Sequence, residues 1–140
     1  MLTQIINGKI LTANGWLEGG SIILCDSKIL EIANSDLPRV GATIVDVKGD
    51  YILPGFVAMN IHGGGGHAYK EGTREAFDIA TDVHLKHGAT TIFPTIYTAK
   101  TEKIYNSVKV CEEVMGEGKT VVKGIHIAGP YFNPQMVKSF

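Results

Sequence analysis

The first third of the chain alternates short apolar runs with turn residues. Two of these runs, Ser21–Cys25 and 28–32, are separated by only two residues, which predicts a tight hairpin. Asn7 and Gly8, which lie between further apolar positions, have the composition of a two-residue hairpin turn. Short strands with turns at this spacing predict a small β-sandwich module over residues 1–53.

From residue 54 onward the pattern changes to alternating strands and helices. Thr73 is a typical helix N-cap, and apolar positions then recur at helical spacing as far as Gly88, a typical stop. The predicted order is strand 55–62, helix 73–87, strand 90–93, helix 101–115 and strand 121–127. This β-α-β-α-β order predicts three parallel strands, adjacent in chain order, with right-handed crossovers. The fold class is therefore α/β, with a domain boundary between residues 53 and 54.

Composition and charge narrow the class of protein. Hydrophobic residues make up 44% and charged residues 19%, as in ordinary globular proteins, and the formal net charge of -1 predicts no nucleic-acid partner and no anionic membrane surface. No apolar run approaches the roughly 20 residues of a membrane span, and the N-terminus lacks a signal-peptide pattern. Cys25 and Cys111 lie far apart without metal-binding spacing, which favours reduced thiols in a cytoplasmic protein.

Glycine and polar residues gather just after each predicted strand of the second half. They form three groups, at 63–66, 94–98 and 129–133. Because the carboxyl ends of parallel strands share one edge of a sheet, α/β enzymes place their sites there. The backbone N–H groups of the glycine run can cradle an anion. No GK[ST] motif follows the run, which argues against a nucleotide phosphate.

Three segments together match one family in order and spacing. They are LPGFVAMNIHGGGG at 53–66, HGATT at 87–91 and GIHIAGPYFNP at 124–134. Across essentially the whole chain they resemble the N-acetylglucosamine-6-phosphate deacetylases of the amidohydrolase superfamily. The resemblance implies that residues 54–140 form strands 1–3 of an incomplete TIM-type (β/α)8 barrel, and that residues 1–53 belong to a partial β-module.

The resemblance also implies a metal-dependent reaction. In the family a divalent metal activates water and polarises the amide carbonyl of an amino-sugar phosphate, and the resemblance implies that this metal is zinc. The family's ligand positions that fall in this chain are Asn60 and His62, from its HxH pair, and Ala128, from the Glu of its HLEGP segment. The positions that the resemblance assigns to the substrate are Gly64, Gly65 and Asn133.

At two of these ligand positions, the residue in this chain lacks the donor atom of the family's ligand. Ala128 has only a methyl group and cannot ligate, and Asn60 offers an amide oxygen, a poor ligand. Alanine also stands at positions 58 and 68, where the family has acidic residues. We therefore expect no catalytic residue in this chain and no retained metal.

Each histidine has an ordinary interpretation beside the functional one. With Asn60 as its partner, His62 is expected to be a polar inward-facing side chain rather than a ligand. His126 shares a strand face with position 128, and a hydrogen-bonded core histidine is its simpler interpretation. His84 and His87 lie near a predicted helix end, where a cation favours the dipole, so they receive no catalytic role.

The predicted pattern ends after the third strand, at 140 residues, whereas a complete barrel takes about 250. One interpretation is an enzyme-derived segment that is inactive alone. Another is a pseudoenzyme that binds an amino-sugar phosphate without turnover. The third is a structural subunit that forms a homo-oligomer or is completed by another chain, because unpaired strand edges favour association. A dihydroorotase is disfavoured by the 124–134 segment and by Asn60.

Overall fold

The computed structural model describes residues 1–129, 131, 133 and 135. The chain divides into two compact units, with the boundary between Pro54 and Gly55. The first unit is built of strands, and the second alternates strands and helices. The mixed α/β class that the pattern predicts is therefore confirmed, and each unit is described by itself below.

The first unit contains two small sheets. The four-stranded sheet has the order β5-β4-β1-β6 and the three-stranded sheet the order β3-β2-β7. The strands are β1 (Leu2–Ile6), β2 (Lys9–Thr12), β3 (Gly15–Leu17), β4 (Ser21–Cys25), β5 (Lys28–Ala33), β6 (Thr43–Asp46) and β7 (Tyr51–Ile52). Packing of these sheets into a sandwich stays a prediction.

Strand pairing in the first unit follows the predicted hairpins in one place and departs from them in another. Strands β4 and β5 pair antiparallel, with Cys25 opposite Lys28, as predicted. The hairpin predicted at Asn7 and Gly8 is wrong, because β1 pairs with β4 and β6, whereas β2 pairs with β3 and β7. Asn7 has a φ of 58°, a left-handed conformation typical of turns, but the chain here passes from one sheet to the other.

The second unit is built around a three-stranded parallel sheet. Its order is β12-β11-β8, so the predicted adjacency of the strands in chain order is confirmed. The elements are β8 (Phe56–Ile61), β9 (Gly63–Gly64), β10 (His67–Ala68), a 3-10 turn (Tyr69–Glu71), α1 (Arg74–Lys86), β11 (Ala89–Tyr97), α2 (Thr101–Gly116) and β12 (His126–Ala128).

Both predicted helices are present with nearly the predicted bounds. The Thr73 side chain caps α1 by accepting a hydrogen bond from the Ala76 N–H at 3.3 Å. Gly88, just after α1, has a φ of 89°, a conformation that favours glycine. Among the described residues, neither helix combines the length and apolarity that crossing a membrane requires.

The third strand is shorter than the predicted 121–127. Val122 forms only an isolated bridge to Ile92, and regular pairing begins at His126, opposite Thr95. The offset between partners grows by one residue from the first pair to the second, which indicates a bulge between them. Gly124 lies in this irregular stretch and breaks the apolar run from which a continuous strand was predicted.

The core of the second unit lies between the sheet and the two helices. Tyr69 and Phe77 are fully buried and meet edge to face, with ring centroids 5.0 Å apart. Burial raises the pKa of the Tyr69 hydroxyl. The cluster also contains helix and strand residues, namely Ala80, Ile96, Val110, Cys111, Val114 and Val122. The sheet is therefore well covered on its helix side.

Candidate functional site

The carboxyl ends of the three parallel strands meet at one edge of the second unit. Tyr97, the last residue of β11, is paired with Ala128, the last residue of β12. His62 follows directly after β8. The structure thus brings two of the predicted ligand positions, 62 and 128, to the edge where α/β proteins bind ligands.

An aromatic contact connects two of these strand ends. The His62 and Tyr97 rings meet edge to face, with centroids 5.1 Å apart. On the same tyrosine, the Lys70 Nζ lies 3.9 Å from the ring centroid, in cation–π geometry. Lys70 has no sequence signal that marks it as a site residue, because its contact with Tyr97 depends on how the turn after β10 packs on β11.

His126 makes the hydrogen bond that its simpler interpretation predicts, but it is exposed rather than part of the core. Its Nδ1 lies 3.2 Å from the Thr95 Oγ1, and Thr95 itself is fully buried. The rest of the His126 ring is exposed. Thr95 and Tyr97 alternate with the helix-facing Ile96, so they belong to the sheet face opposite the helices.

The glycine run forms a short hairpin. Strands β9 and β10 pair antiparallel, with Gly64 opposite His67, and the turn residues Gly65 and Gly66 have φ values of 62° and 86°. Two positive φ angles at the turn are typical of a type I′ hairpin and favour glycine at both positions.

Helix α1 lies directly against this hairpin. A Cβ on Gly64 would lie 3.3 Å from the Ala80 carbonyl oxygen, and one on Gly65 only 2.8 Å from the Ile79 side chain. His84 Nε2 lies 2.9 Å from the Gly63 carbonyl oxygen, which accepts the bond. Close packing on a helix thus accounts for these glycines, and substrate binding by Gly64 and Gly65 stays a prediction.

Ala68 begins the 3-10 turn and lacks the side chain of a good cap. The Glu71 carboxylate accepts a hydrogen bond from the Ala68 N–H at 2.6 Å and lies 3.3 Å from His67 Nδ1. Both hydrogen bonds lower the pKa of Glu71, and the one from the Ala68 N–H has the larger effect. This is one half of a capping box, and the methyl group of Ala68 cannot supply the other half.

Asn133 belongs to the third segment of the family resemblance. It is exposed, and its Oδ1 accepts a hydrogen bond from the Gln135 N–H at 3.0 Å, a local turn contact. Its neighbours Pro130, Phe132 and Pro134 lie outside the described residues. Substrate binding by Asn133 therefore stays a prediction.

The side chains at the strand ends do not fit a metal ion. Within the part of the chain that the structure describes, no three His, Cys, Asp or Glu side chains converge as a metal-binding group. Ala128 has no donor atom, and His126 already uses Nδ1 on Thr95. Structural and catalytic zinc sites need three or four protein ligands. We therefore derive no chemical step through a metal held by these residues.

Comparison with known proteins shows which enzymes this chain resembles. No protein-family model matches the chain. An N-acetylglucosamine-6-phosphate deacetylase from Haemophilus influenzae is 31% identical over 136 residues, covering 95% of this chain and 35% of the relative. The crystal structure of the deacetylase from Pasteurella multocida superposes with a TM-score of 0.87 at 26% identity, covering 96% of this chain and 36% of that one.

Over nearly its whole length, the chain is similar to the N-terminal portion of the N-acetylglucosamine-6-phosphate deacetylases. It spans about a third of the length of the deacetylases it matches. A dihydroorotase from Staphylococcus aureus is 35% identical, but over only 64% of this chain and 20% of its own length. Both relatives are amidohydrolases, so the shorter match reflects the superfamily and the longer match favours the deacetylases.

Proposed function

We propose that the chain is a deacetylase-type segment that is inactive as residues 1–140. Its second unit corresponds in this proposal to strands 1–3 of a TIM-type barrel, with the amino-sugar phosphate bound at the carboxyl ends of the strands. The deacetylase relatives support the substrate class, and the polar side chains of His62 and Tyr97 at the strand ends, with His126 two residues before the end of β12, support the location. The cytoplasmic location inferred from the cysteines is part of the same proposal.

One observation carries the proposed inactivity. Ala128 is paired with Tyr97 at the strand end, where the resemblance expects a carboxylate ligand. Hydrolysis of an amide needs an activated water, a polarised carbonyl and a proton for the leaving amine. The described residues at this edge supply two histidines, one already hydrogen-bonded, and no group of three His, Cys, Asp or Glu side chains that could hold a metal. The activated water and the polarised carbonyl, which the metal supplies in the family, are thus without a group to provide them.

The test is acetate release from N-acetylglucosamine 6-phosphate by the purified chain with added zinc. We expect no release above a zinc-only control. Ala128→Glu is expected to stay at the same level, because one carboxylate cannot replace a ligand set and a base. Release that persists through repurification and rises in proportion to protein concentration would contradict the proposal.

A second candidate function, as a subunit completed by another chain or a second copy, is favoured by the edge strand β8. Three of its apolar side chains are more than half exposed: Phe56 at 58%, Val57 at 60% and Met59 at 66%. Among the residues that the structure describes, β8 pairs with β11 on one side and has no strand on the other. An apolar strand with an unpaired edge is a template for another chain.

Light scattering coupled to size exclusion tests this second candidate. We expect a mass above that of one chain, 15.1 kDa, at micromolar concentration. Met59→Lys should shift the population toward the monomer, because a charge on an edge strand opposes pairing. Lys123→Met, which removes an exposed charge from the third-strand region, should not dissociate the assembly. A monodisperse monomer for the unmodified chain would exclude self-association.

A further inference from the structure

The Lys70 ammonium group is held at the edge of the sheet where the strands end. Its Nζ lies 3.9 Å from the centroid of the Tyr97 ring, and the same ring contacts His62. The lysine is half-buried, so its position is restricted by its surroundings. An ammonium on one face of a ring keeps hydrogen-bond donors that point away from the ring.

No carboxylate neutralises this charge in the part of the chain that the structure describes. The adjacent Glu71 is engaged elsewhere, on the Ala68 N–H at 2.6 Å and on His67 at 3.3 Å. None of the ion pairs among the described residues includes Lys70. Ala68, at the end of the hairpin, has no charge. The cation is therefore available to an anionic ligand.

We propose that Lys70, placed over Tyr97 beside His62, binds the phosphate of an amino-sugar phosphate. The sugar part of the ligand rests on the proposed function, whereas the assignment of an anion to Lys70 rests on the geometry. Lysine binds phosphate as a point charge, and a phosphate monoester carries close to two negative charges at neutral pH. A phosphate fits this cation better than a singly charged carboxylate, because the attraction scales with the charge.

Isothermal titration calorimetry with the full chain at low salt tests the inference, with N-acetylglucosamine 6-phosphate as the probe. We expect Lys70→Met to weaken binding about tenfold, the effect of one charge-assisted hydrogen bond. Lys109→Met, an exposed lysine on α2, is the matched control and should bind like the unmodified chain. Tyr97→Leu should also weaken binding, whereas Tyr97→Phe keeps the ring face and should retain it.

Two further ligands separate the anion from the sugar. N-acetylglucosamine without phosphate should not bind measurably, and inorganic phosphate should bind more weakly than the sugar phosphate but with the same dependence on Lys70. Equal binding by Lys70→Met and the unmodified chain would overturn the inference, as would binding of no phosphate compound. Inorganic phosphate binding as tightly as the sugar phosphate would overturn the sugar assignment. Acetate release is measured separately. A chain that releases acetate would contradict the proposed inactivity, whereas a chain whose phosphate binding does not depend on Lys70 would contradict only this site.

Discussion

The two faces of the parallel sheet in the second unit differ in how they are stabilised. On the helix side, Phe77, Ile96 and Val122 are fully buried in one apolar cluster. On the opposite side and at the strand ends, His62 and His126 are exposed and interact through single contacts with Tyr97 and Thr95. Most of the apolar burial that stabilises the fold therefore lies on one face only.

This difference explains how a site can change while the fold persists. Burial of apolar area contributes about 25 cal/mol per Å², so a packed face tolerates little change. A residue at an open strand end, such as Ala128, makes few contacts, and its identity is set by chemistry rather than by packing. In the proposed function, the alanine at 128 replaces a family ligand without removing any core side chain.

The largest effect is expected from Phe77→Ala in the helix-covered face. Truncation of a fully buried phenylalanine leaves a cavity next to Tyr69 and should lower the free energy of unfolding by about 3–5 kcal/mol. Urea unfolding followed by circular dichroism measures the change. Tyr105→Ala is the control, because Tyr105 is 71% exposed on α2 and its truncation should cost no more than about 0.5 kcal/mol. Similar unfolding midpoints for both variants would mean that the cluster is not the core.

An intermediate effect is expected from Gly63→Ala in the hairpin that packs against α1. The added Cβ would lie 2.1 Å from the His67 carbonyl oxygen, a backbone atom, so the hairpin must shift at a cost of about 1–3 kcal/mol. Gly66→Ala has open space around the Cβ but a φ of 86°, and should cost about 1 kcal/mol from strain alone. The thermal unfolding midpoints of the two variants give the order of their costs. A smaller loss for Gly63→Ala than for Gly66→Ala would contradict the packed hairpin.

The smallest effect is expected from Ala68→Ser, which should raise the free energy of unfolding. A serine hydroxyl at this position can accept the hydrogen bond that completes the capping box with Glu71, which should stabilise the turn by about 0.5–1 kcal/mol. Ala68→Val adds volume without an acceptor and should give no gain. Urea unfolding midpoints of the two variants decide between capping and simple packing at this position. If the valine variant gained as much, a capping role for position 68 would be excluded.

The position of Ala68 also changes the interpretation of one departure from the family. Sequence analysis treated the alanine at 68 as a lost acidic residue beside the site. The structure places it at the N-cap of the 3-10 turn, with a φ of -115° and a ψ of 138°. An acidic or hydroxyl side chain at this position has a structural use as a cap. The missing carboxylate therefore need not have been catalytic.

The sequence by itself determined the order of the three parallel strands and two helices in the second unit, but not the short hairpin and the 3-10 turn between β8 and α1. Thr73, Gly88 and the apolar spacing between them placed α1, because caps and periodicity are local properties. The family segments likewise placed positions 62 and 128 at the same edge of the sheet, since alternating strands and helices predict parallel strands.

Only the tertiary structure decided which groups meet. Pairing of β1 with β4 and β6 rather than with β2 depends on burial across the whole first unit. The placement of Lys70 on Tyr97 and of the glycine hairpin on α1 likewise depends on residues distant in the chain. Such contacts leave no periodic signal, because their energies depend on the distances between atoms in three dimensions and not on spacing along the sequence.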